Sequence, residues 1–102
     1  MSDTALLDEK INALKEEIDV LSVSLEETDP GLLEVRQQLQ EILTEIQKGR
    51  ISLSLLYHLL VTEVRYRKIC FEQYRIVLPV KYTDAAEDLF AVLKKQIIEM
   101  RK

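Results

Sequence analysis

Apolar residues near the start of the chain recur at intervals of four and three: Leu7, Ile11, Leu14, Ile18, Leu21 and Leu25. This is a heptad seam, and it predicts a helix over residues 4–28 with Ile11, Ile18 and Leu25 at a and Leu7, Leu14 and Leu21 at d. A parallel homodimer through that seam would set Lys10 against Lys15 and Asp3 against Asp8. An antiparallel neighbour avoids both conflicts. Leu6, Ala13 and Val20 recur every seven residues beside the seam, giving a stripe wide enough for a bundle.

The run Glu27-Thr28-Asp29-Pro30-Gly31 interrupts the pattern. Asp29 suits a helix N-cap and Pro30 the first helical position, where a missing N–H costs nothing. A second helix is expected over 30–48, its stripe Leu32, Val35, Leu39, Ile42 and Ile46 widened by Leu33 and Leu43. So short a connection makes the two helices an antiparallel hairpin. Gly49 then either caps this helix or lies inside a longer one, and Ser52, a good N-cap, favours a turn.

Residues 52–78 carry three apolar stripes on one helix. The first is Leu53, Leu56, Leu60, Val64, Phe71, Tyr74 and Leu78; the second Leu55, Leu59, Tyr66, Cys70 and Val77; the third Val61, Ile69 and Ile76. A helix apolar on so many sides is expected to be central, with Pro79 ending it. Asp84 and Glu87 have capping-box spacing, predicting a last, short helix over 84–101 with the stripe Ala86, Leu89, Leu93, Ile97 and Met100.

Composition agrees with this pattern. Two Gly and two Pro in 102 residues leave too few turn formers for an all-β chain. The expected fold is therefore all-α: a single helical domain, residues 1–102, built as a coiled-coil-like bundle. It comprises an antiparallel helical hairpin, a long central helix and a short C-terminal helix. No apolar run reaches membrane-span length and no signal-peptide pattern opens the chain. With one cysteine, Cys70, no internal disulfide can form, and a cytoplasmic setting is the simplest expectation. Net charge is −4, but residues 1–50 carry 12 acids against 5 bases and residues 51–102 carry 6 against 9. The halves attract each other in principle.

Candidate chemistry concentrates in Val64–Arg75, where cations and aromatics alternate. On a helix, Arg65, Lys68 and Arg75 share one quadrant with Glu72, which stands at ion-pair spacing from both Lys68 and Arg75. Tyr66, Phe71 and Tyr74 point elsewhere, so no platform combines stacking rings with phosphate-binding cations. Arg67 falls inside the first apolar stripe and needs an acidic partner or access to solvent. His58 has no companion at metal-ligand spacing, Cys70 sits in an apolar row, and glycines only at 31 and 49 preclude a phosphate loop.

These features point away from catalysis and from any cofactor, metal or small-molecule substrate. The expected function is helical oligomerisation or adaptor work through protein–protein contacts, the partner being a second copy or another helical protein. The packing residues would be Leu7, Ile11, Leu14, Ile18, Leu21, Leu25, Leu39, Ile42, Leu53, Leu56, Leu60, Val64 and Phe71. A nucleic-acid-binding accessory subunit is the alternative, with Arg65, Lys68, Arg75 and Lys81 on phosphates or an acidic partner. A small helical chaperone of a secretion or assembly system is the third reading.

Overall fold

The computed structural model describes residues 2–24 and 30–100, with side chains over 5–22 and 30–100. Leu25, Asp29, Arg101 and the helix end expected at Thr28 lie outside the described residues. Four helices account for nearly all of the rest: α1 Ser2–Ser24, α2 Pro30–Gln47, α3 Leu53–Tyr74 and α4 Val80–Met100.

Adjacent helices run antiparallel. Asp19, Lys15 and Asn12 of α1 meet Gln40, Thr44 and Gln47 of α2 in reversed order. Lys10 of α1 reaches Asp88 of α4, and Glu63 of α3 reaches Tyr82 of α4. The result is an up-down-up-down bundle of 44 × 23 × 19 Å. Packing around it is uneven. α1 lies closest to α4 and α2 closest to α3, while the α1–α2 and α3–α4 seams are wider.

The core follows the heptad rows. Leu7, Ile11, Leu14, Ile18 and Leu21 of α1 are buried, as are Leu32, Val35, Leu39, Leu43 and Ile46 of α2. Leu56, Leu59, Tyr66 and Cys70 of α3 meet Tyr82, Ala86, Leu89, Leu93 and Ile97 of α4 in the same core. A polar ladder closes the α1–α2 seam outside it. The Lys15 ammonium donates to Thr44 Oγ1 at 2.9 Å and to Gln47 Oε1 at 2.8 Å, and Gln47 Nε2 donates to Asn12 Oδ1 at 2.8 Å.

Gly49 makes a turn, with φ +92°. The Gly49 N–H donates to the Ile46 carbonyl and the Arg50 N–H to the Glu45 carbonyl, which is the Schellman arrangement. Ser52 caps α3 with extended backbone (φ −151°, ψ 161°), its hydroxyl accepting the Leu55 N–H at 3.1 Å.

Four expectations need correction. First, α3 ends at Tyr74, not Leu78, because Arg75 takes left-handed backbone (φ 56°, ψ 32°) and returns its N–H to the Phe71 carbonyl. Second, α4 begins at Val80, not Asp84. The Pro79 carbonyl accepts the N–H groups of Tyr82 and Thr83, so the helix starts immediately after the proline and Asp84 lies inside it. Third, α4 at 21 residues is as long as its neighbours, and no helix is central: α3 buries one face only. Fourth, among the described residues no ion pair joins Glu72 to Lys68 or to Arg75, and Arg75 has left the helix that would have set it one turn from Glu72.

Candidate interaction surface

With α3 fixed at both ends, its row Leu59, Tyr66 and Cys70 turns to the core. Four members of the first stripe, Leu53, Leu60, Val64 and Phe71, then turn out, while Leu56 stays in the core. Leu53, Tyr57, Leu60, Val64 and Phe71 are 38–67% exposed and, with Arg67, continue at intervals of 4, 3, 4, 3 and 4 along the outer face. The row spans about 27 Å at 1.5 Å per residue. Scattered exposed leucines are ordinary on a protein surface, whereas a continuous heptad row along a whole helix is the pattern of a face that packs on another helix.

At its C-terminal end the row opens into an apolar groove of about 480 Å³, lined by Val64, Phe71, Ile76, Val77, Leu78 and Thr83 with Arg67 and Lys68 at its side. The Arg75 turn shapes this groove by sending the chain back across the end of α3. Val77 is almost fully exposed there, and Val80 follows it at the start of α4.

Beneath the row lies a buried carboxylate. Glu63 is nearly inaccessible and receives two groups. Arg67, one turn along α3, donates from Nε at 3.1 Å and from Nη2 at 2.9 Å; the Tyr82 hydroxyl donates at 3.0 Å from α4. The acidic partner that Arg67 needs is thus Glu63, and its guanidinium also reaches solvent, its side chain being 47% exposed. Burial, followed by the neighbouring Glu63 charge, pushes the Tyr82 hydroxyl well above the ordinary tyrosine range. The Tyr66 and Tyr82 rings lie 6.2 Å apart and fill the α3–α4 seam around this cluster.

Of the sequence-predicted packing residues, Leu7, Ile11, Leu14, Ile18, Leu21, Leu39 and Leu56 are core and Ile42 is half-buried. Leu53, Leu60, Val64 and Phe71 belong to the exposed row. The basic residues do not gather. Arg65 lines the α2–α3 groove with Glu41 and Glu45, whereas Lys81 lines the α1–α4 groove with Glu16, Glu17, Asp84 and Asp88. Lys68 stands by the apolar groove, and Arg75 sits in the turn. Cys70 is buried, and burial raises its thiol pKa against the smaller opposing effect of a Tyr66 hydrogen bond. His58 is exposed and edge-on to Tyr57, with ring centroids 6.4 Å apart. Among the described residues no group of His, Cys, Asp and Glu is placed to hold a metal, and no helix is long and apolar enough to cross a membrane.

The sequence reading missed Glu63 and Tyr82. Glu63 stands four residues before Arg67, a visible ion-pair spacing. Tyr82 extends the α4 row Ala86, Leu89, Leu93 and Ile97 by one step upstream.

These elements define an all-α, antiparallel four-helix bundle with one apolar helix face turned outward. No protein-family model, curated protein or solved structure matches the chain.

Proposed function

We propose that the protein is a non-enzymatic helical assembly protein whose outer α3 face receives a helix from a partner. The observation that carries this reading is the exposed row from Leu53 to Phe71, apolar at five of its six heptad-spaced positions and continuous with the groove at the end of α3. Leaving several large side chains in water forgoes about 25 cal/mol for each Å² they could bury, so a partner helix has a substantial driving force. Knobs-into-holes packing needs the same 4-3 spacing that this row has.

The nucleic-acid alternative has less support. Phosphate binding gains from cations acting together, and here Arg65 and Lys81 lie in separate grooves, each shared with carboxylates.

A photoreactive amino acid placed at Val64 and, as a control, at Glu87 on the polar face of α4 tests the reading in intact cells expressing the protein. The expected result is a discrete cross-linked species from position 64 alone. Equal yields from both positions, or none from 64, would sink the proposal.

A further inference from the structure

We propose that the helix received by the α3 face is the α3 of a second copy, laid antiparallel about a twofold axis between Leu60 and Val64. This rests on the docking reading above and names its occupant. The spacing 4-3-4-3-4 is the same read in either direction, so the row matches its own reverse. An antiparallel twofold contact therefore sets each position of the row on its mirror position, so that residue i meets j and j meets i.

Side-chain chemistry matches as well. Reversal sets Leu53 against the second copy's Phe71, Leu60 against its Val64, and Arg67 against its Tyr57. Two of these pairs are apolar. The third places the only cation in the row over an exposed ring, a cation–π contact whose guanidinium is already held by Glu63. On the flank, Lys68 faces Ser54 and Val61 faces Val61, so no cation meets another. A parallel pair in register would instead set Arg67 on Arg67 within the seam, desolvating like charges.

Two spin-label sites beside the row test the arrangement: a cysteine replacing Val61 near the axis, and one replacing Ser54 towards the end of the helix. Cys70 is buried, and unsubstituted protein carried through the same labelling serves as the control. Molar mass by light scattering is measured alongside. The proposal expects twice the 11.9 kDa chain mass, a short label distance at 61 and a distance at 54 longer by about 20 Å, since helical rise separates the two copies of residue 54. Leu60→Asp should return the mass to that of one folded chain. Short distances at both sites would mean a parallel pair and overturn the proposal, as would long distances at both. A monomeric mass also overturns it. The docking reading then survives only if position 64 still cross-links to a different protein.

Discussion

Glu63 is where a single residue matters most. Its carboxylate is buried at the α3–α4 seam and is held by Arg67 and Tyr82. Removing one partner of a fully buried pair costs roughly 3–5 kcal/mol. Arg67 is half exposed, so Arg67→Met should cost less, about 2 kcal/mol, measured by urea unfolding. Tyr82 contributes a pH dependence. Its proton is retained in the folded chain at pH values where an unfolded tyrosine ionises, because burial and the adjacent Glu63 disfavour the phenolate. The associated stability is complete below about pH 10 and declines as pH rises beyond it. Thermal midpoints should therefore fall on the alkaline side, and Tyr82→Phe should flatten that fall while lowering stability near neutrality by about 2 kcal/mol through the lost hydrogen bond to a charge. The need for a partner at Arg67 was legible from its place among apolar residues. The contribution of Tyr82 was not, because it comes from another helix whose start had been set four residues too late.

The helix ends make opposite predictions. Gly49 has positive φ, and a Cβ there would meet nothing within 4 Å. Gly49→Ala should cost about 1 kcal/mol of backbone strain, with no clash to relieve. Arg75 has a similar left-handed backbone but carries a side chain. Arg75→Gly should gain up to about 1 kcal/mol, seen as a rise in thermal midpoint of several degrees. The turn at Gly49 and the cap at Ser52 could be read from local chemistry. The end of α3 could not, since no Gly or Asn marks Arg75 as left-handed. Nor could the buried face of α3 be chosen from sequence. Three apolar stripes competed, and periodicity counts apolar positions without knowing where the neighbouring helices stand. Of the packing residues expected on α3, Leu53, Leu60, Val64 and Phe71 lie outside and Leu56 lies in the core.

For the whole molecule, that division separates two substitutions that the sequence alone treats alike. Leu14 is fully buried between helices, so Leu14→Asp should abolish the helical circular dichroism signal. Leu60 faces outward, so Leu60→Asp should leave that signal intact and change only association. Unfolding by both would place α3 the other way round. The all-α class was legible from the scarcity of Gly and Pro and from the heptad rows of α1 and α2. The pairing of helices was not, because α1 has polar contacts with its neighbour in sequence and its closest packing with α4.

That last pairing bears on how the chain is made. Of these four helices the first to be synthesised, α1, finds its closest neighbour in the fourth, α4. The α2–α3 hairpin can close as soon as it emerges, its contacts being local. The row from Leu7 to Leu21 cannot be fully covered until residues 80–100 have been synthesised. A nascent chain halted before α4 would hold a formed hairpin beside an α1 whose apolar row is only partly covered, the kind of intermediate that chaperones bind. A circular permutant opened between α2 and α3, with the original ends joined by a flexible linker, would make α1 and α4 consecutive and should shorten that exposure.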